Sequence, residues 1–200
     1  MSCTGLLTMK QLSLISPKRY KKEHGGALSI GKRRSRRPLS TKEAHHVTLR
    51  SEFAVGDRSL LRHRPLIEAV IKKASRRFNI KVYRQAICRN HIHLLVKGKR
   101  RTDLQNFFRV FAGHIAQGIL ALHPLKPDDG GASGRQKGCA KNKRKFWQML
   151  IYSRVLTWGR EFKTVARYIL QNTLEALNLI AYTPRRSSQR QRHRPRLTPT

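Results

Sequence analysis

Residues 90–96, Asn-His-Ile-His-Leu-Leu-Val, leave few choices of local structure. Ile92, Leu94 and Val96 recur at every second place, with His91 and His93 between them. Successive side chains of a β-strand leave on opposite faces, so this spacing predicts one apolar face and one face carrying two imidazoles. The fold must then contain a sheet packed on one side and chemically equipped on the other. Two imidazoles on one strand face can grip a divalent cation. By spacing alone, a half-buried strand with two polar residues outside is the plainer reading, and both stay open. Cys88 falls on the opposite side of the alternation from both histidines, which argues against a zinc half-site.

The flanking periodicities supply the rest of the architecture. Residues 45–50, His-His-Val-Thr-Leu-Arg, read as a first strand. Pro65 opens a helix whose apolar stripe is Leu66, Ile67, Val70, Ile71, Ala74 and Phe78, and Asn79 stops it. Residues 80–87 read as a second strand, antiparallel to the histidine strand across a turn at Arg89-Asn90. Thr102 and Gln105 have the spacing of a capping box at the start of a second helix. Its stripe is Leu104, Phe107, Phe108, Phe111, Ile115 and Ile119. Residues 146–156 read as a fourth strand and 164–179 as a last helix. Strand, helix, strand, strand, helix, strand, helix is the order of an α+β, ferredoxin-like split βαβ fold. It predicts an antiparallel sheet with helices on one face and the histidines on the other, open face.

Charge confines this fold to the middle of the chain. Lys and Arg number 44 against 10 Asp and Glu, a formal net charge of +34. Residues 1–42 and 183–200 carry runs such as Lys32-Arg33-Arg34-Ser35-Arg36-Arg37 and read as basic, disordered arms. The folded unit is expected at 43–182, with a basic loop insertion at 124–145. Such a charge suits a polyanion, and nucleic acid is favoured. A membrane span needs about 18 or more apolar residues in a row, and the chain has none. Cys3, Cys88 and Cys139 are few, odd in number and scattered, as in a reducing compartment.

On the last helix Tyr168 and Asn172 lie one turn apart on one face. Helical spacing alone fits a core tyrosine as well as a reactive phenol. Residues 90–95, Phe146-Trp147-Gln148 and 168–172, in this order and spacing, resemble the single-tyrosine HUH transposases. The REP-associated tyrosine transposases are the branch it most resembles, over about 44–182. Departures are Arg89 where Pro is common, Ser51 for an expected Gly, and Thr173 after Asn172 in place of Pro.

The resemblance implies cleavage and rejoining of single-stranded or hairpin DNA through a 5′-phosphotyrosine, in a bacterial cytoplasm. Carried over by position, Tyr168 is the nucleophile, and His91, His93 and Asn172 hold Mg²⁺ or Mn²⁺. Arg50, Arg84, Arg89 and Arg154 are expected along the DNA path, with Trp147 stacking on an unpaired base. A homodimer and a monomer both fit. Two other readings remain: a non-catalytic DNA-binding regulator of the same fold, and a basic RNA-binding protein with incidental histidines. Deleting residues 1–40 is expected to weaken nucleic-acid binding and flatten its salt dependence, read from a salt titration of affinity.

Overall fold

A computed structural model describes residues 22–31, 35–125 and 145–183. The outer parts of both basic arms and most of the 124–145 loop lie outside the described residues. The strands are β1 (Glu23–His24), β2 (Ala44–Arg50), β3 (Ile80–Ile87), β4 (His91–Gly98) and β5 (Tyr152–Leu156). The helices are α1 (Arg64–Arg77), α2 (Arg101–Leu122) and α3 (Arg160–Ala176). The sheet order is β1-β5-β2-β4-β3, with every neighbouring pair antiparallel. Counted from β2, the four long strands lie fourth, first, third, second, which is the split βαβ arrangement expected from the element order.

Both helical stripes turn inward as the periodicity predicts. Ile67, Ile71 and Ala74 of α1 and Leu104, Phe107, Phe108, Phe111, Ile115 and Ile119 of α2 are buried. They meet Val47 and Leu49 of β2 and Ile92, Leu94 and Val96 of β4 in one core. Asn79 ends α1 with φ of 51°, a left-handed turn that Asn tolerates better than a branched residue. Gly98 lets the end of β4 approach α2, since a Cβ there would lie 2.7 Å from Leu104 Cγ.

α3 packs on the opposite face. Its Ile169 is buried with Ala44, Ala86, Leu95 and Leu156, so the histidine face is roofed over β3 and β4 rather than left wholly bare. The physical reason is in β4: Leu95 shares a face with the two histidines and needs an apolar cover.

Four boundaries differ from the sequence reading. The fourth strand forms only from Tyr152. Before it, Phe146 drops into the core and the Trp147 indole N–H donates to the Ala112 carbonyl at 2.8 Å. α2 starts without a capping box: Arg100 is the cap residue, no side chain closes it, and Thr102 lies inside the first turn. α3 begins earlier, after Gly159 at φ of 92°. The first arm also joins the fold before residue 43. Glu23 and His24 pair with β5, Leu39 is in the core, and Arg37 donates to Ser153 Oγ at 2.6 Å. The Arg37 guanidinium also lies over the Phe108 ring at 5.6 Å, so the charged group has both a hydroxyl and an aromatic face as partners. A cut at residue 40 therefore removes folding residues along with the outer arm.

His45 is buried beneath this segment and accepts the Ser40 amide at Nε2, 3.0 Å away. Burial, then the Arg37 charge, pushes its pKa down to about 4. The unfolded imidazole binds a proton near pH 6.5 while the folded one stays neutral. Stability from this site is thus present at neutral pH and lost as pH falls from about 6.5 to about 4. Urea titrations across that window should show a smaller acid loss for His45→Gln than for the wild type, by up to about 3 kcal/mol.

Candidate functional site

The β2–β4 register brings the equipped face together. Thr48 stands opposite His93, and Arg50 opposite His91. From β5, Tyr152 stands opposite Thr48 and Arg154 opposite His46. Side chains of directly paired residues share a face, so the two histidines of β4 gain neighbours from two further strands.

Three histidines cluster there. The His91 and His93 rings are 4.8 Å apart, edge to face, and His46 stacks on His93 at 5.3 Å. His46 Nε2 and Thr48 Oγ1 each lie 3.1 Å from His93 Nδ1. His91 Nδ1 is 2.8 Å from the Asn90 side-chain oxygen, an acceptor that holds the proton on Nδ1. That tautomer leaves the His91 lone pair on Nε2, the geometry in which a metal-binding imidazole is held. Burial, then Arg154, pushes the His46 pKa down to about 4, so His46 is neutral at pH 7. Asn90, His46 and Thr48 were not assigned to the site by sequence reasoning. Pairing register is the signal that identifies the last two, because both share the histidine face of β2.

α3 brings Tyr168 to this cluster, with Asn172 one turn further along the same helix. The Tyr168 ring is 5.4 Å from His93 and 6.2 Å from His46, both edge to face. Asn172 is buried, and its amide donates to the Tyr168 carbonyl at 2.7 Å. Thr173 ties the helix to the sheet: its hydroxyl lies 3.1 Å from the Gln85 carbonyl and 3.0 Å from that of Ile169. At the other end, Arg154 makes an ion pair with Glu161 and a longer one with Glu23 at 3.6 Å. The departure at Thr173 thus has a structural use. So has Ser51, whose hydroxyl donates to the Phe146 carbonyl at 2.5 Å.

The remaining sequence candidates scatter. Arg50 is exposed beside His91 on the site face. Arg154 faces the site but is committed to its two carboxylates. Arg89 is exposed in the β3–β4 turn, where its carbonyl accepts the Leu60 amide at 2.9 Å. Arg84 lines a cleft between α1 and α3 at the sheet edge, with Leu170 and Thr173. Trp147 packs against the core on the far side of the sheet from the histidines. Tyr152 is a second phenol near His46, at 6.3 Å, but burial and then Glu23 push its pKa up to about 12.

Residues 54–130 match the family model described as "Transposase IS200 like". The chain resembles the IS200-like transposases. Among solved structures, a REP-associated tyrosine transposase bound to a REP hairpin is 14% identical over 72% of this chain and 74% of its own, at a TM-score of 0.49. A proposed transposase from Deinococcus radiodurans R1 is 12% identical over 70% of this chain and 98% of its own, at 0.40. Neither likeness adds to the fold, which stands on this chain's own strands and helices. No curated protein matches. No helix among the described residues of this transposase-like chain is long and apolar enough to cross a membrane.

Among the described residues no three His, Cys, Asp or Glu side chains are grouped to hold a metal ion. The imidazoles of His91 and His93 stand together on the site face, nitrogen donors that an ion would complete with oxygen ligands. The Thr173 hydroxyl contact with Gln85 anchors α3 over β3, so Thr173→Val should lower the unfolding free energy by about 1 kcal/mol in urea denaturation.

Proposed function

We propose that this chain is a DNA transposase whose nucleophile is Tyr168, cutting and rejoining single-stranded DNA with a divalent metal. The observation that carries the reading is the Tyr168 ring against His93, 5.4 Å away, with His91 next to it and Asn172 one turn along the same helix. The family match over 54–130 and the net charge of +34 support a phosphate-bearing substrate. Hairpin or single-stranded DNA is the form proposed, because a phenol beside a sheet face reaches an unpaired backbone most directly.

His91, His93 and the Asn172 side-chain oxygen would hold Mg²⁺ or Mn²⁺. When bound, the cation polarises the scissile phosphate and offsets charge on the departing 3′-oxygen. The nitrogen-rich donor set favours Mn²⁺ over Mg²⁺. The chain's own residues do the positioning. Asn90 holds the His91 ring from behind, and His46 with Thr48 hold that of His93. Such outer partners fix ring orientation and raise affinity for the ion. Arg50, opposite His91, contributes positive charge where the phosphate enters.

In the reaction, the Tyr168 oxygen bonds to phosphorus as its proton leaves, and the bond from phosphorus to the 3′-oxygen breaks. The released strand ends in a 3′-hydroxyl, and the other is joined to the enzyme as a 5′-phosphotyrosine. Attack by a 3′-hydroxyl reverses the step, so the diester bond is conserved and no nucleotide triphosphate is consumed.

The test is a denaturing gel of the full chain with labelled hairpin DNA and Mn²⁺. A covalent adduct is expected with the wild type and with Tyr152→Phe, and none with Tyr168→Phe. His91→Ala should also abolish the adduct while sparing binding. Adduct formation by Tyr168→Phe would overturn the assignment. Salt-sensitive binding with no adduct on any hairpin would favour a DNA-binding regulator.

A further inference from the structure

On the same sheet face, beyond the histidines, lies a second cluster. Lys97 is four residues along β4 from His93, about 14 Å at strand spacing and on the same face. There Trp158, in the turn between β5 and α3, packs on Phe162 at 4.9 Å and meets Tyr83 edge-on at 5.9 Å. Its indole N–H donates to the Lys42 carbonyl at 2.9 Å. Three sides of the ring are thus fixed, yet 46% of Trp158 remains exposed. Among the described residues Tyr182 is the other exposed large aromatic, near the end of the described chain.

The surroundings are basic. Lys97 Nζ lies 5.1 Å from the Trp158 ring centre, and Lys81 Nζ lies 5.1 Å from that of Tyr83. A neighbouring cleft of about 580 Å³ is lined by Lys81, Lys97, Lys99, Tyr83 and Thr41, with no carboxylate among its described residues. The acid closest in sequence, Glu161, is occupied by Arg154 and by the Thr157 amide and hydroxyl. A held, exposed indole beside the Lys97 ammonium, with Lys81 and Lys99 in the neighbouring cleft, has the two properties that bind an unpaired nucleotide: a flat surface for the base and charge for its phosphates. Because the ring is already held, stacking on it orders little that was free.

We propose that Trp158 is a stacking platform for an unpaired base of the DNA strand whose backbone runs to Tyr168. Lys81, Lys97 and Lys99 take that strand's phosphates. The inference rests on the transposase reading for its ligand but not for its geometry. It transfers the base-stacking role expected of Trp147 to a tryptophan on the site face. From Trp158 to Tyr168 is ten residues, about 15 Å along α3 and the turn before it, so one strand reaches both.

The chain has two tryptophans, so Trp147→Phe leaves Trp158 as its only indole. Titrating that full-length variant with oligothymidylate should quench its fluorescence by half or more. Polyphosphate, which carries charge without bases, should leave it nearly unchanged. Where Trp147→Phe folds poorly, the difference between wild type and Trp158→Phe reads the same signal. Trp158→Ala should bind the oligonucleotide about tenfold or more weakly, with Trp158→Phe restoring most of the loss and duplex binding unaltered. An unchanged Trp158 signal while a labelled oligonucleotide is bound, or equal quenching by polyphosphate, would overturn the platform and leave the Tyr168 chemistry standing. Quenching without any Tyr168 adduct would do the reverse.

Discussion

The pairing of β2 with β4 is the contact on which the rest of the structure depends. Its register sets Thr48 opposite His93 and Leu49 opposite Ile92. A slip of one residue would turn His91 and His93 into the apolar core and expose Ile92, Leu94 and Val96. The core of α1 and α2 side chains therefore protects the site from the other side of the sheet. Burial of Ile92, Leu94 and Val96 fixes which way the imidazoles face. Stability and chemistry share one strand, and each side of the alternation constrains the other.

The second constraint is the seat of α3. Ile169 fills the space above Leu95 and Ala86, Thr173 reaches the Gln85 carbonyl, and Glu161 meets Arg154. These contacts lie before, within and after the turn that carries Tyr168. A phenol on a freely moving helix would meet the histidines only part of the time, whereas one pinned at both ends is already in place. The same helix start orders Trp158 through Phe162. One element thus organises two parts of the face.

Much of this was legible in residue spacing. The histidine strand, the two core stripes, the stop at Asn79 and the element order all follow from local periodicity, which acts over a few residues. Prediction failed where a long-range partner overrode local signals. Residues 146–151 look like the start of a strand, but Phe146 and Trp147 are drawn into the core by α2. Arg37 looks like part of a solvated arm, yet Ser153 and Phe108 receive it. Thr102 has the spacing of a cap, while the helix begins two residues earlier than that spacing requires, with Arg100 as its cap.

Residue spacing alone places His91 and His93 on one strand face and Tyr168 and Asn172 on one helix face. Those facts are local, set by periods of about 2 and 3.6 residues. It took the packed fold to bring the two faces together, to set His46, Thr48 and Asn90 against the imidazoles, and to put Trp158 rather than Trp147 on their side of the sheet. Register and helix docking are fixed by packing between residues far apart in the chain, and no spacing along the chain encodes which of them will touch.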